Sequence, residues 1–184
     1  MPTDRSSRRV DVTTVELVGG TEKGDLVLAD YDPNWPGWYA SHERRVATAL
    51  GTAVQIEHIG STSVPGLAAK PILDILVTVE DITAEEDYLD QLLDAGYELR
   101  VREPGHRMVR TPARDVHVHI HEVGDHEALD LLSFRDHLRS EPGDRDLYER
   151  TKRALIDQDW ADMNAYAGGK TAVIVEIMER ARKS

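Results

Sequence analysis

Read for the spacing of apolar and polar positions, the chain divides into strand-length and helix-length stretches in a definite order. Residues 1–14 are polar and aperiodic, with Arg5, Arg8 and Arg9 among Ser and Asp, so they are expected to form a disordered, dispensable tail ahead of one domain over 15–184. Leu26 to Ala29 reads as a short strand. Asp32, Pro33 and Trp35 then open a helix that Gly51 ends, since Asp caps orphan amides and Pro suits a first turn. Val54–Ile59 and Ile72–Val79 read as strands. Thr83 with Glu86 has the spacing of a capping box for a helix that stops at Gly96, its apolar face being Leu89, Leu92 and Leu93. Tyr97–Val101, Arg107–Arg110 and Val116–His121 read as successive antiparallel strands, broken by Pro104-Gly105 and Pro112. Three- and four-residue spacing over 126–139, 145–157 and 160–182 predicts helices, with Glu141-Pro142-Gly143 and Asp157 to Asp159 as the breaks. Strands mixed with helices first and helices last imply an α+β fold, a mixed sheet with a C-terminal helical subdomain.

Charge narrows the partners. With 34 acidic against 22 basic residues the formal net charge is −12, which disfavours nucleic acid and anionic membrane surfaces as partners. Nine acids and no base between Pro71 and Leu99 fall mostly on the exposed side of the 83–95 helix, where charge is solvated. No cysteine is present, which removes thiol nucleophiles and thiolate metal sites and suits a reducing compartment. No stretch approaches the ~20 apolar residues of a membrane span, and the first thirty residues lack the apolar core of a secretory signal. The expected location is cytoplasmic.

The chemistry concentrates in Glu57 to Ile75. A Gly60-Ser61-Thr62 turn after one strand is followed by Asp74 on the next. Glycine lets backbone approach a phosphate, hydroxyls and amides hold its oxygens, and a strand carboxylate can hold the cation that bridges them. The same residues also suit a plain turn with a serine cap. His58, two before Gly60, is expected to share its face and point into the site, and Lys70 can neutralise phosphate. His117, His119 and His121 alternate with Val116, Val118 and Ile120, so a strand there projects three imidazoles from one face, as a metal-binding or phosphate-contacting row. Arg107 and Arg110, on the neighbouring strand, read as phosphate clamps or as ion-pair partners of the acidic helix. Arg135-Asp136 reads as an ion pair holding helix to sheet, and Trp35, Trp38 and Tyr39 as packing residues.

The run His58-Ile59-Gly60-Ser61-Thr62, Val64-Pro65-Gly66-Leu67, Lys70-Pro71 and Asp74-Ile75 resembles the signature of the GrpB family. So do Tyr31-Asp32-Pro33-Asn34-Trp35-Pro36, His117-Val118-His119, Phe134 to Arg139, Tyr148 and Lys152, so the resemblance runs from about residue 16 to the C-terminus. It implies a nucleotidyltransferase-like fold, and the family's domain also occurs fused to dephospho-coenzyme A kinases. The superfamily pattern adds an acid two residues after the first strand acid and a third on a later strand. Leu76 stands at the second position, and His117 or His119 at the third. The resemblance thus implies a protein that binds a nucleoside triphosphate with a divalent metal, Mg2+ or Mn2+, held by Asp74, His117 and His119, and that transfers a nucleotidyl group to a small acceptor if it is catalytic. Two other readings stay open: a non-catalytic module for a nucleotide or coenzyme A-related ligand, favoured by Leu76, and a metal-dependent hydrolase using the histidine row with Zn2+.

Overall fold

Leu73-Asp74-Ile75-Leu76-Val77-Thr78-Val79 is apolar on both faces apart from Asp74 and Thr78, the pattern of a strand covered on both sides. In a computed structural model, which describes residues 8–21, 27–51, 54–158 and 160–183, it forms part of a six-stranded sheet. The strands are β1 (Glu16–Leu17), β2 (Gln55–Ile59), β3 (Leu73–Val79), β4 (Glu98–Glu103), β5 (His106–Arg110) and β6 (Val116–Glu122), in the order β1-β4-β5-β6-β3-β2. Only β3 and β6 run parallel. A parallel pair needs a crossover, and the segment carrying a short helix and the β4-β5 hairpin supplies it.

One face of the sheet packs on α1 (Trp35–Leu50) and α2 (Leu89–Asp94), burying Trp35, Val46, Ile75, Val77, Leu92, Val109 and Val118. The other is covered by α3 (His126–Ser140), with Ile59, Leu76 and Ala128 in contact. Beyond α3, α4 (Pro142–Ile156) and α6 (Thr171–Ala181) close a second apolar cluster of Val64, Leu67, Leu138, Tyr148 and Ile177, and α5 (Met163–Gly169) precedes α6. This is the expected α+β mixed sheet with C-terminal helices. Among the described residues, no helix is long and apolar enough to cross a membrane.

Local signals were overridden in four places. Leu26 lies outside the described residues, and Ala29 makes only an isolated bridge to Ala69, while the edge strand forms at Glu16–Leu17, where Glu16 meets Arg102 at 2.6 Å. Thr83 caps no helix because its amide and hydroxyl both donate to Asp81 Oδ1, at 2.8 and 2.6 Å, and a single 3-10 turn at Glu85–Asp87 intervenes before α2. The Glu141-Pro142-Gly143 break is instead the start of α4, with proline in the first turn, where it lacks no needed donor. The last apolar stretch splits at Lys170 into α5 and α6.

The tail expectation also changes. Residues 1–7 lie outside the described residues, but 8–14 reach the domain: Arg8 pairs with Glu122, Arg9 with Glu86, and Asp11 with Arg107 at 2.6 Å. Arg107 is 2% exposed, on the α2 face of the sheet, where Glu85 also binds it at 2.6 Å and the carbonyls of Glu103 and His106 accept from it. Composition registers the absence of core-filling side chains, and it is blind to a carboxylate needed by a buried guanidinium. Removing one acceptor from a buried charge leaves it undersatisfied, so Asp11→Ala is expected to lower stability by about 1–3 kcal/mol and the melting temperature by roughly 3–10 °C. An unchanged melting curve would mean that Glu85 suffices for Arg107.

His58 lies on the same α-covered face. It is paired in register with Ile75, stacks on Tyr39 of α1 at 4.6 Å and 8°, and shares a 2.9 Å hydrogen bond with Thr62 Oγ1. Burial, with Arg139 nearby, pushes its pKa from 6.5 down to about 4. Between those values the unfolded imidazole binds a proton that the folded one refuses, so stability falls as pH falls through this window. In urea titrations His58→Gln should lose less stability than the natural chain between pH 6.5 and 4, by up to about 3 kcal/mol. Parallel pH curves for the two would show that His58 stays accessible to protons.

Candidate functional site

Gly60 ends β2 in the left-handed region, at φ +70°, and a 3-10 turn at Ser61–Ser63 follows. A Cβ on Gly60 would lie 2.6 Å from Asp74 Oδ2, so glycine is required both by the backbone angle and by the carboxylate pressed against the turn. That turn also explains why His58 points away. Strand alternation stops at Gly60, and the register puts Ile59 beside Asp74 and His58 beside Ile75, on the opposite face. His58 and Thr62 therefore brace the turn from behind and do not face a phosphate.

Parallel pairing of β3 with β6 sets Asp74 opposite His117, Leu76 opposite His119 and Thr78 opposite His121. The three imidazoles share one face, as the alternation implies, but only two reach Asp74. His119 Nε2 is 3.2 Å and His117 Nδ1 3.6 Å from Asp74 Oδ1, and one ligand atom from each of the three residues lies within 4.8 Å of the others. Burial alone would raise the Asp74 carboxyl, yet hydrogen bonds and charge from His117 and His119 hold it well below the usual carboxylate range. It is an anion at neutral pH.

Glu103 and His106 fix the orientation of His119. Glu103 Oε1 lies 2.6 Å from His106 Nδ1, and His106 Nε2 lies 3.1 Å from His119 Nδ1, with the two rings 11° from parallel. A carboxylate only accepts, so His106 Nδ1 carries the proton. Burial and the neighbouring His119 lower the His106 pKa, so the neutral ring accepts at Nε2 from His119 Nδ1–H. The other nitrogen of His119, Nε2, then faces Asp74 Oδ1 at 3.2 Å, a contact that either a proton or a cation can occupy. One carboxylate and two imidazoles form a donor set for Mn2+ or Zn2+ more than for Mg2+.

On the other side of the turn, Lys152 of α4 is buried. It donates to Ser61 Oγ at 3.0 Å and to the Ala68 carbonyl, and lies over the Tyr148 ring at 4.8 Å. Burial, with Lys170 adding to it, pushes its pKa down to about 7. Lys170, lowered by burial against the pull of Asp74, lines a cavity of about 410 Å3 together with Gly60, Ser61, Asp74 and Tyr148. Its apolar wall comes from Leu131, Phe134 and Leu138 of α3 and Ile174 and Met178 of α6, with Glu127 and Asp130 also lining it. The volume is that of a small-molecule site.

The remaining candidates separate by face. Arg110 is buried on the histidine face, beside His117 in register, and Lys70 is half-buried in the loop before β3, its pKa lowered by burial although Asp74 opposes the shift. Arg107 is corrected from phosphate clamp to structural cation: one strand position from Arg110's alternation puts it on the far face, with Asp11 and Glu85. Arg135 holds α3 to β2 through Glu57 at 2.7 Å and the His58 carbonyl, as its pairing with Asp136 implies. Leu76 is fully buried against α3, so nothing replaces the missing second acid at that position. His106, Lys152 and Lys170 join the site without having been assigned to it from sequence. The only sequence sign was Lys152 among the family-matching residues.

Comparison with known proteins bears on this geometry. A family model described as GrpB protein matches residues 25–180. A UPF0157 protein of Streptomyces coelicolor is 60% identical over 181 residues, 98% of this chain and 97% of that one. The crystal structure of conserved protein GrpB from Enterococcus faecalis superposes with a TM-score of 0.75 at 33% identity, over 85% of this chain and 98% of that one. Terminal uridylyl transferase 4 from Trypanosoma brucei, with bound dUTP, superposes with a TM-score of 0.54 at 16% identity, over 83% of this chain and 56% of that one, a likeness of fold. The fold is nucleotidyltransferase-like, and the chain belongs to the GrpB family.

Proposed function

We propose that the protein binds a nucleoside triphosphate or a related phosphorylated nucleotide together with one divalent cation, in the cavity that the Gly60-Ser61 turn and Asp74 form with α3 and α6. The observation that carries this reading is the convergence on Asp74: the carboxylate is pressed against a glycine turn on one side and lies within 3.2 Å of His119 Nε2 and 3.6 Å of His117 Nδ1 on the other. Asp74, His117 and His119 hold the cation, which when bound neutralises phosphate charge. The Ser61 hydroxyl is held at the cavity between Lys152, which donates to its oxygen, and Tyr148, and a bound phosphate would compete with Tyr148 for its proton. Lys170 adds positive charge at the cavity wall, and the apolar side chains of α3 and α6 accept the rest of the ligand.

With transfer, an acceptor oxygen forms a bond to the α-phosphorus as the bond to the bridging oxygen breaks, and diphosphate leaves toward the Ser61 turn. Buried Leu76 leaves the site one oxygen ligand short of a two-metal arrangement. That favours a one-cation site, and it supports nucleotide binding more strongly than transfer. A second reading, a metal-dependent hydrolase, is favoured by the imidazole-rich donor set, and it requires Zn2+ to bind without nucleotide.

Calorimetry with UTP, GTP and ATP, with and without Mn2+ or Zn2+, tests the proposal. A true ligand at a hundredfold excess over its Kd stabilises the fold by about 2.7 kcal/mol. Asp74→Asn should abolish the cation dependence of nucleotide binding, and Ser61→Ala should weaken the nucleotide with the fold intact. A nucleotide that binds Asp74→Asn with undiminished cation dependence contradicts the site.

His106→Phe should weaken the cation by about 10–100-fold, because the ring remains but no longer orients His119. Unchanged affinity would mean that His119 is held by packing alone.

Nucleotide affinity should also fall as pH rises from 7 to 9, since Lys152 is charged only below about 7 and a bound phosphate favours its charged form. Lys152→Met should show weaker binding with that slope removed; a slope that persists would assign it to another group.

A further inference from the structure

The histidine row continues beyond the Asp74 group to a second set of ligand-type side chains. His121 follows His117 and His119 on the same face of β6, in register with Thr78. Its side chain is 1% exposed, and its Nδ1 has no hydrogen-bond partner. Asp125 Oδ1 lies 3.2 Å from that nitrogen, but the contact is not aligned as a hydrogen bond. The same oxygen is engaged by the amides of Glu127 and Ala128, at 2.9 and 3.1 Å, as the N-cap of α3. The Glu127 carboxylate completes the group, with one ligand atom from each of the three residues within 4.8 Å of the others.

Capping accounts for Asp125 and the helix dipole for Glu127, but neither accounts for a buried imidazole nitrogen left without a hydrogen-bond partner beside both carboxylates. We propose that His121, Asp125 and Glu127 form a second divalent-metal site, independent of the Asp74 group. The N-terminus of α3 opposes a cation with roughly half a positive charge, and two carboxylates outweigh it. One imidazole and two carboxylates suit Zn2+ or Mn2+, and three protein ligands leave a coordination position for water or substrate. Glu127 also lines the cavity that holds Asp74, so an ion here offers a second positive centre to an anionic ligand in that cavity.

The test is a Zn2+ titration of the chelator-stripped full chain by calorimetry. In the Asp74→Asn/His119→Ala background, which removes the first group, one equivalent of Zn2+ should still bind. Adding Glu127→Gln should weaken it at least tenfold, and His121→Phe, which keeps a ring against His106, should do the same. The exposed Glu127 side chain makes that variant decisive even where the buried histidine change unfolds the chain. No zinc in the Asp74→Asn/His119→Ala background, or an affinity that Glu127→Gln leaves unchanged, overturns the second site. In the otherwise natural chain, an equivalent lost with Asp74→Asn but kept in Glu127→Gln leaves only the first site standing, and the converse leaves only the second.

Discussion

An anionic side chain in the middle of a sheet has to be compensated by whatever its neighbours present, and Asp74 imposes that requirement on the rest of this molecule. Its strand pairs in parallel with β6, so the residue opposite is His117 and the next on the same face is His119. On the other side it is pressed so closely on Gly60 that no other residue fits there. Both the turn that precedes β3 and the strand that follows the crossover are thereby tied to one carboxylate. The crossover, the β4-β5 hairpin and the buried β-branched face against α1 and α2 all hold that pairing in register. A one-residue slip would put Val116 or Val118 beside Asp74 and leave the charge uncompensated.

The proposed phosphate site has to work in a chain of net charge −12. Among the basic groups near the turn, Lys152 is buried behind Ser61 and Lys170 lines the cavity wall. Burial weakens their hold on a proton, so each gains from an anionic neighbour, which a solvated lysine would not. The ordinary surface charge repels polyanions over the long range. Within the cavity Arg135, Lys170 and Arg182 stand against Asp74, Glu127 and Asp130, so short-range contacts and a bound cation, not the long-range field, would hold the proposed phosphorylated ligand.

Much of this was legible in the sequence because it rests on local rules. Gly60-Ser61 and Asp74 stood out by spacing, and the His117, His119, His121 alternation gave the shared face directly. What was missed depended on facts that no linear pattern carries. His58 was placed in the site by strand alternation, but the alternation ends at Gly60, whose φ of +70° turns the chain. Arg107 and Arg110 looked equivalent three residues apart, and only the strand register separates the one held by Asp11 and Glu85 from the one beside His117. Asp11 itself lies 96 positions from the arginine it neutralises. His106 became part of the site through its pairing opposite His121 across the β5-β6 ladder, and Lys152 through the packing of α4 on the turn. Long-range contacts, more than local propensity, decide Arg107, Asp11, His106 and Lys152.

Whether Asp74, His117 and His119 hold a cation is decided by anomalous diffraction from crystals grown with Mn2+. An anomalous peak is expected between Asp74 Oδ1 and His119 Nε2, within about 2.0–2.3 Å of both and in reach of His117. An ordered crystal with manganese in its mother liquor and no peak at Asp74, the carboxylate remaining hydrogen-bonded to protonated imidazoles, would contradict it.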